Sequence, residues 1–354
     1  MFKVLSFTSG RHTPSSYYRI RQYIGLLRNN GVIVNDYYPV VDKNAPIPII
    51  KHKIGYKIIF PIALLWFAIK LMFRIPALLN ISKHDVLWLN RELLPGIPSI
   101  EFLFSKPYIF DFDDAIWLSK PMGNIAFETI VKNAAVVVAG NDYLGAKARE
   151  YNNNVEVLPT GVDIEKIYPL KNNRTMEGLT FGWVGTNVNF KYLYNIEAEL
   201  YDFFSKNNCV LLIVSSNKPN FFHLREGVHW KFRLWKLEDE NEFLNSFDVG
   251  IMPLENNEWE EGKCSFKMLQ YMAAAKPVIV SPVGMNKSVL SMGNIGFSAK
   301  DGEWTKCCSK FLDPILRAEM GLEAREVIEQ NFSTQAISIK YANIIKKVCE
   351  DYAS

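Results

Sequence analysis

Short apolar runs alternate with helical stretches along the whole chain, and this alternation restricts the fold more than any other feature. Five runs in the first half have the length and apolar content of buried strands: Lys3–Thr8, Val32–Tyr38, Asp85–Asn90, Tyr108–Phe112 and Ala135–Ala139. A second series comprises Leu179–Val184, Val210–Val214, Val249–Met252 and Pro277–Val280. Each interval leaves room for one helix, so the pattern predicts βαβ units and parallel sheets.

A polar segment, residues 169–174, separates the two series of strands. At 354 residues the chain is also longer than a usual single domain. We therefore predict one α/β domain at residues 1–170 and a second at residues 171–333. Because open α/β sheets bind ligands outside the carboxyl ends of their strands, the function should lie in strand-to-helix loops around a shared cleft.

Charge and cysteine content argue against several classes of function. The formal net charge of +3 is too small to indicate a nucleic-acid partner. The five cysteines are odd in number and form no Cys-x-x-Cys pair, so they indicate neither a disulfide framework nor a thiolate metal site. The strand-like start at Met1 does not resemble a signal peptide, and the sequence therefore predicts a cytoplasmic location.

One apolar run, Ile58–Ile69, bears on that location. It is only about half of the roughly 20 apolar residues that span a bilayer, so it does not predict a transmembrane helix. The basic residues around it, within residues 51–74, are Lys51, Lys53, Lys57, Lys70 and Arg74. This pattern predicts peripheral contact with an anionic membrane surface, and the alternative is a buried core helix with solvated ends.

The stretch GKCSFKMLQYMAAAKPVIV, residues 262–280, has the clearest chemical content. Its loop residues are Lys263, Cys264 and Ser265. They lead into a helix-forming run that Pro277 ends. We predict that Ser265 caps this helix and that the amides at its start, with Lys263 and Lys267, bind a diphosphate.

Three motifs resemble the nucleotide-sugar-dependent glycosyltransferases of family four, which have the GT-B architecture. They are LQYMAAAKPVIVSPVG (Leu269–Gly284), VEVLPTGVD (Val155–Asp163) and GWVG (Gly182–Gly185). The resemblance implies two Rossmann-like, doubly wound domains, with the acceptor bound by the first and the sugar nucleotide by the second. It implies retention at the anomeric carbon, no metal or other cofactor, and a terminal helix, residues 334–354, that returns to the N-terminal domain.

The resemblance also implies where the departing diphosphate is neutralised. Lys191 matches a family lysine with this role, and Thr186, just after Gly185, stands where the family has an arginine. Loss of that arginine would be compensated by Lys263 or Lys267. The amides at Ser265 and Phe266 would supply further donors.

At two positions the chain departs from the family pattern. The family helix carries two glutamates eight residues apart, and here Gly262 and Gln270 stand at these positions. Gln270 can still contact the ribose. The contact to the donor sugar would then come from elsewhere, and the candidates are Glu255, Glu260 and Glu261.

In the N-terminal half, the loop after the first strand is a candidate ligand loop. Gly10 permits close approach of the backbone to a ligand, and Ser15 or Ser16 can cap the next helix. Arg11 and His12 could reach a phosphate. The alternative is an ordinary surface loop.

Three carboxylates, Asp111, Asp113 and Asp114, follow an apolar strand. Like charges this close raise at least one pKa and suit proton transfer. We predict that Asp113 or Asp114 accepts the proton of the acceptor hydroxyl or binds sugar hydroxyls. A metal site is the other interpretation of adjacent aspartates.

The sequence therefore predicts a glycosyltransferase that acts on a glycan or lipid-linked acceptor in cell-surface polysaccharide synthesis. Two alternatives stay open. A sugar-nucleotide epimerase of the same architecture would act on the nucleotide sugar alone. A non-catalytic partner subunit is suggested by Gln270, Gly262 and Thr186, which replace charged family residues.

Overall fold

The structure is a computed structural model that describes residues 1–11, 13–47, 56–170 and 178–352, with the backbone alone at residues 56–60. The chain forms two compact units: Met1–Gly161 with Gln335–Ser354 is the first, and Val162–Thr334 is the second. The first unit thus ends earlier along the chain than the boundary at residue 170 that the sequence predicts. Linker residues 171–174, His12, Lys51, His52 and Lys53, and the Lys57 side chain, lie outside the described residues.

The first unit contains a six-stranded parallel sheet. Its strands are β1 (Phe2–Phe7), β2 (Val32–Tyr37), β3 (Val86–Asn90), β4 (Tyr108–Phe112), β5 (Val136–Ala139) and β6 (Val155–Val157). Its helices are α1 (Pro14–Arg19), α2 (Ile24–Asn29), α3 (Tyr56–Met72), α4 (Ile75–Leu78), α5 (Gly123–Asn133) and α6 (Asp142–Arg149). The strand order is β2-β1-β3-β4-β5-β6. β3 and β4 are buried at every residue, as expected for a parallel sheet with both faces covered.

The second unit also contains a six-stranded parallel sheet. Its strands are β7 (Leu179–Val184), β8 (Cys209–Ser215), β9 (Trp230–Leu234), β10 (Val249–Met252), β11 (Val278–Val280) and β12 (Gly296–Ser298). Its helices are α7 (Phe190–Asn195), α8 (Glu197–Phe204), α9 (Glu240–Asn245), α10 (Glu258–Glu261), α11 (Phe266–Ala273), α12 (Met285–Leu290), α13 (Trp304–Lys310) and α14 (Pro314–Asn331). The order β12-β11-β10-β7-β8-β9 places the topological switch point between β10 and β7. The predicted fold class, two Rossmann-like α/β domains, is confirmed.

The last helix, α15 (Thr334–Asp351), belongs to the first unit from Gln335 onward. Its Ile337, Tyr341 and Ile345 side chains lie in the same apolar core as Trp88 of β3. The Tyr341 and Trp88 rings are 4.8 Å apart. A helix far along the chain therefore completes the core of the N-terminal sheet.

A buried ion pair joins three elements of this unit. Arg19 donates through Nε to Asp111 Oδ1 at 2.8 Å and through Nη2 to Oδ2 at 3.2 Å. The Tyr341 hydroxyl donates to Asp111 Oδ2 at 2.7 Å. Burial raises the pKa of Asp111, and the bonds from Arg19 and Tyr341 oppose that rise. Asp111 thus holds α1, β4 and α15 together and is not one of an exposed group of three carboxylates.

We expect Tyr341→Phe to lower the free energy of unfolding of the first unit by about 1.5–3 kcal/mol, because it removes a buried hydrogen bond to a charged group. Urea unfolding followed by near-ultraviolet circular dichroism measures the change. Tyr352→Phe is the matched control, since Tyr352 is exposed. A Tyr341→Phe loss below about 0.5 kcal/mol, the range of ordinary surface substitutions, would contradict this role.

Candidate functional site

Three lysine side chains converge in the second unit, beside the carboxyl end of β7. The Lys191 ammonium lies 4.7 Å and the Lys263 ammonium 5.0 Å from the centroid of the Tyr192 ring. The Lys267 ammonium lies 5.2 Å from the Trp183 ring. We call Lys191, Lys263 and Lys267 the lysine cluster; it lies near the switch point at which such sheets bind ligands.

Lys267 has no hydrogen-bond acceptor or ion-pair partner among the residues that the structure describes. Burial and the charge of Lys263 together lower its pKa to about 8, and Glu260 opposes both effects. A half-buried ammonium next to a second one is electrostatically unfavourable unless an anion joins it. The lysine cluster is therefore arranged to take up negative charge.

Gly185 makes room for the Lys267 ammonium. A Cβ atom at residue 185 would lie 2.9 Å from Lys267 Nζ and 2.3 Å from the Trp183 ring. Any larger residue would displace the ammonium or the indole. The next residue, Thr186, is exposed, and its hydroxyl accepts a hydrogen bond from Asn189 Nδ2 at 3.2 Å.

The other two lysines have carboxylate partners. Lys191 Nζ lies 2.9 Å from Glu255 Oε2, and this bond lowers the pKa of Glu255. Lys263 pairs with Glu260, which is buried and also accepts the hydroxyl of Tyr192. Lys267 is thus the member of the cluster whose charge is least compensated.

All three glutamates predicted to contact the donor sugar have partners in the structure, and Glu255 is paired with Lys191 as described above. Glu260 is held by Tyr192 and Lys263, as described above. Glu261 accepts from the backbone of Gly284 at 2.9 Å and from Lys287 at 3.2 Å. Glu255 is the one of the three that stands at the exposed side of the lysine cluster.

The start of α11 differs from its predicted form. Ser265 stands at the N-cap position but has a left-handed backbone, φ 51°, and makes no side-chain cap. Its Oγ donates to Asn286 Oδ1 at 2.7 Å. Ser265 and Cys264 are both buried. The predicted side-chain cap is therefore wrong, and an anion here would meet the first-turn amides near half-buried Phe266 together with Lys263 and Lys267.

Gln270 is nearly buried on α11, and its Nε2 donates to Glu240 Oε1 at 2.7 Å. Glu240 begins α9. The predicted ribose contact through Gln270 is untested, and the structure adds a carboxylate beside it that the sequence did not reveal. The residue spacing along α11 gives no indication of Glu240, because Glu240 lies on a different helix, α9.

The loop after β1 also differs from its prediction. A Cβ atom at Gly10 would lie 2.1 Å from Asp42 Oδ2, so the space that the glycine leaves is filled by this carboxylate. Arg11 is exposed, and its carbonyl accepts from Arg21 Nη1 at 2.6 Å. The group that closely approaches the Gly10 backbone is therefore the Asp42 carboxylate. The sequence had predicted a ligand in this position.

Thr13, not a serine, stands at the N-cap of α1. Ser15 is half-buried within the helix. The Ser16 hydroxyl accepts from the backbone of Ser9 at 3.0 Å and donates to Asn90 Oδ1 at 3.2 Å. The predicted cap by Ser15 or Ser16 is thus wrong, and Ser16 instead links the ends of β1 and β3.

Arg91 lies between the two remaining aspartates. Its Nε donates to Asp113 Oδ1 at 2.7 Å and its Nη2 to Asp114 Oδ2 at 2.5 Å. Burial would lower the pKa of Arg91, but the two carboxylates outweigh it and raise that pKa. Asp113 and Asp114 are therefore not an uncompensated pair of like charges, and the electrostatic reason for their predicted proton transfer is corrected.

Backbone strain marks the same place. Arg91 has φ 58°, which side chains with a Cβ rarely adopt. Asn90, the residue before it, pairs with Asp111 in the register of β3 and β4. The left-handed turn at Arg91 thus directs its side chain to the loop after β4.

Several buried polar groups lie at the strand ends of the first unit. Ser9 Oγ and Asn90 Nδ2 are buried and have no hydrogen-bond partner among the described residues. Lys43 is buried, and its Nζ donates to the backbone oxygen of Glu92 at 2.9 Å. Burial lowers the pKa of Lys43 to about 8, and Glu92 opposes that shift. The place of Asn90 at a strand end indicates this residue from the sequence, whereas no local pattern points to Lys43, Ser9 or their surroundings.

Among the described residues, no group of three or more His, Cys, Asp or Glu side chains could hold a metal ion. The five cysteines are buried, and none forms a disulfide bond among the described residues.

Residues 179–313, within the second unit, match the sequence model of the family described as Glycosyl transferases group 1. The predicted resemblance is thereby confirmed. No curated protein sequence matches the chain.

Solved structures resemble the chain over almost its full length. Sucrose-phosphate synthase from Thermosynechococcus elongatus is 14% identical with a TM-score of 0.73, covering 98% of this chain and 99% of that one. HepE of Anabaena, in complex with UDP-glucose, is 12% identical with a TM-score of 0.65, covering 98% and 100%. WaaG, a glycosyltransferase involved in lipopolysaccharide biosynthesis, is 14% identical with a TM-score of 0.63, covering 97% and 99%. At these identities the likeness establishes the shared GT-B fold.

We expect the affinity for UDP to fall as the pH rises through about 8, the pKa of Lys267 in the free protein. A bound diphosphate favours the charged ammonium, so above this pH binding requires proton uptake, and affinity falls by up to about tenfold per pH unit. Calorimetric titration between pH 7 and pH 9.5 measures it. In Lys267→Met the affinity should be lower at pH 7 and the step should disappear. A wild-type curve as flat as that of the variant would contradict the assignment.

Proposed function

We propose that this chain transfers a sugar from a nucleoside diphosphate donor to a glycan or lipid-linked acceptor. Its second unit matches the sequence model of the glycosyl transferases group 1, and its fold is GT-B. The observation that carries the proposal is the lysine cluster, above all the ammonium of Lys267, whose charge is the least compensated of the three. The chain's resemblance to WaaG, which is involved in lipopolysaccharide biosynthesis, supports a role in cell-surface polysaccharide synthesis.

The lysine cluster would act on the leaving group. As the bond between the anomeric carbon and the diphosphate oxygen breaks, negative charge grows on the diphosphate. Ammonium groups already in place stabilise that charge, and they do so more strongly where water is excluded. Because Lys191, Lys263 and Lys267 can neutralise the diphosphate, the proposal requires no metal cofactor. We propose retention at the anomeric carbon, as the family resemblance implies.

The first unit would hold the acceptor at the ends of β1, β3 and β4. Asp113 and Asp114 are fixed by Arg91, and fixed carboxylates are good acceptors for sugar hydroxyls. Of their two predicted roles, hydroxyl binding is the one that this pairing favours. The unpartnered Ser9 Oγ and Asn90 Nδ2 lie at the same strand ends.

Release of nucleoside diphosphate from a panel of sugar nucleotides, with and without glycan acceptors, tests the function. We expect Lys267→Met to lower acceptor-dependent release by about 100-fold, the effect of removing one donor to a developing oxyanion. Lys276→Met is the matched control, because Lys276 is also a partly buried lysine of this unit but bonds to the backbone oxygen of Asn245 at 3.1 Å.

Other outcomes would contradict the proposal in distinct ways. Interconversion of sugar nucleotides without an acceptor would indicate an epimerase. Binding of a sugar nucleotide without turnover under any condition would indicate a non-catalytic subunit. Equal activity of Lys267→Met and Lys276→Met would remove the lysine cluster from the mechanism.

We also propose that the enzyme works at the cytoplasmic face of a membrane, because residues 61–79 turn an apolar side outward. Exposed residues recur there at intervals of three or four: Pro61, Leu64, Leu65, Ala68, Met72, Ile75, Pro76 and Leu79. We call them the apolar stripe. Outward apolar side chains at helical spacing are unfavourable in water and suited to a bilayer surface.

The basic residues of this segment face the opposite way. Lys70 Nζ donates to the backbone oxygens of Lys43 and Ala45 at 2.7 and 2.8 Å. Arg74 Nη1 donates to the backbone oxygen of Thr8 at 2.7 Å. The predicted contact of Lys70 and Arg74 with anionic lipid is therefore corrected: both cations fasten the segment to its own unit.

The length of the apolar segment is also corrected. Pro61–Lys83 is a largely helical stretch of 23 residues with a mean hydropathy of 1.9, which is long and apolar enough to cross a membrane, and only 17% of its most apolar part is buried. The sequence interpretation had limited the run to Ile58–Ile69. Since Lys70 and Arg74 are bound to backbone oxygens of the first unit, we propose that the segment lies on the membrane and does not cross it.

We expect the double variant Leu64→Asp/Leu65→Asp to lose binding to vesicles of phosphatidylglycerol and phosphatidylethanolamine. Each charge is costly at an apolar membrane interface. Sedimentation with vesicles measures the bound fraction. Leu322→Asp is the matched control, because Leu322 in the second unit has the same 63% exposure as Leu65. Equal vesicle binding by both variants would contradict the proposal.

A further inference from the structure

The helix that carries most of the apolar stripe, α3, is hydrogen-bonded to the loop of residues 42–45. Lys70 Nζ donates to the backbone oxygens of Lys43 and Ala45 at 2.7 and 2.8 Å. The Trp66 indole donates to the same Ala45 oxygen at 3.3 Å. Because Lys70 is both buried and charged, its hydrogen bonds are of the stronger kind. The loop and α3 therefore move, or stay in place, together.

The same loop reaches the strand ends at which the acceptor is proposed to bind. The Lys43 amide donates to the backbone oxygen of Ser9 at 3.0 Å, and its Nζ donates to the backbone oxygen of Glu92 at 2.9 Å. Ser9 follows β1, and Glu92 follows β3. One buried lysine thus connects the loop to two of these strand ends.

Arg74 forms a second connection from the apolar segment to the same place. Its Nη1 donates to the backbone oxygen of Thr8 at 2.7 Å. Thr8 directly precedes Ser9, whose buried Oγ has no hydrogen-bond partner in the part of the chain that the structure describes. Lys70 and Arg74 are four residues apart, so they leave the segment on one side. That side meets the loops of the first unit, and the apolar stripe lies on the other.

The loop has no regular secondary structure of its own. Residues 38–47 form neither a helix nor a strand. Within the loop, the amides of Asn44 and Ala45 bond back to Asp42 and do not reach another element. Segments with few backbone hydrogen bonds to the rest of a domain open at low cost in free energy. The contacts with α3 are therefore an important part of what keeps the loop closed.

We infer that Lys70 is a positioning residue that couples membrane contact to the acceptor site. A bilayer under the apolar stripe holds α3 in place, and Lys70 then holds the loop that carries Lys43. In lipid-free solution α3 can follow the loop as it opens, whereas on a bilayer the opening must break the bonds of Lys70. Membrane binding and closure of the loop thus favour each other. The inference rests on the proposed function and on its membrane contact.

Hydrogen–deuterium exchange with and without vesicles of phosphatidylglycerol and phosphatidylethanolamine tests this coupling. In the wild type, vesicles should slow exchange of the amides of residues 42–45 by about threefold or more, because opening then costs the bonds of Lys70. Lys70→Met retains the apolar stripe and should still sediment with vesicles, but its loop exchange should change by less than about 1.5-fold.

Two further variants separate the coupling from general effects on the fold. Lys83→Met is the matched control, because Lys83 belongs to the same apolar segment but donates to Asn80 Oδ1 at 2.9 Å; it should respond to vesicles as the wild type does. Leu64→Asp/Leu65→Asp changes exposed positions and keeps the bonds of Lys70. It should show no vesicle effect on the loop, and it tests the coupling even where Lys70→Met unfolds.

Transfer to a water-soluble glycan acceptor gives a readout that a purely structural role of Lys70 would not move. Such an acceptor does not collect on vesicles, so a vesicle effect reports on the protein. Vesicles should lower the wild-type KM for the acceptor by about fivefold or more and leave kcat within about twofold, since the loop borders the acceptor site. Lys70→Met should keep the higher KM with vesicles present, and Lys70→Arg, which retains a cationic donor, should recover the response.

The outcomes that would overturn the inference are distinct from those that concern the function. Vesicle binding by the wild type without slower loop exchange would overturn the inference and leave the membrane location standing, and equal slowing in Lys70→Met would remove Lys70 from the coupling. A wild-type chain that does not bind vesicles would overturn the membrane proposal and the inference with it. Absence of nucleoside diphosphate release with every sugar nucleotide and acceptor would overturn the proposed function, on which the exchange measurement does not depend.

Discussion

The half-buried ammonium of Lys267 is the constraint around which the second unit is arranged. Its pKa is lowered to about 8, and the structure surrounds it with an indole, a glycine and a second lysine. Burial without a counter-ion costs free energy, so a diphosphate would gain from relieving it. Lys267 lies in the first turn of α11. Its ammonium is held beside the Trp183 ring, in the space that Gly185 leaves open.

In the first unit, by contrast, the central buried charges form an ion pair between Arg19 and Asp111. Arg19 and Asp111 are both fully buried and satisfy each other, and Tyr341 adds a hydrogen bond from α15. Such a pair disfavours any other register of helix against sheet, because a shift would leave a buried charge unpaired. The core that binds α15 thus forms correctly only when residues far apart in the chain have met.

Periodicity made the fold predictable, since strand and helix lengths are local properties. Strands such as Tyr108–Phe112, Leu179–Val184 and Val249–Met252 have the bounds that their apolar runs indicate, while the edge strands β6, β9 and β12 contain no continuous apolar run and were not predicted. The candidate site was harder to predict from the sequence than the fold. Lys263 and Lys267 are local to one motif, but the partners of Gln270, Gly10 and Asp113 come from other elements. Only the folded chain shows that Glu240, Asp42 and Arg91 occupy those places.

The inward direction of the Lys70 and Arg74 side chains has a consequence for how the purified protein behaves in buffer. Both cations donate hydrogen bonds to backbone oxygens of the first unit. They therefore place no charge on the side that carries the apolar stripe, and two copies of the protein do not repel each other there. Copies in lipid-free buffer would meet through this uncharged surface and adhere. Colloidal stability of the purified protein should therefore depend on mild detergent more than on ionic strength.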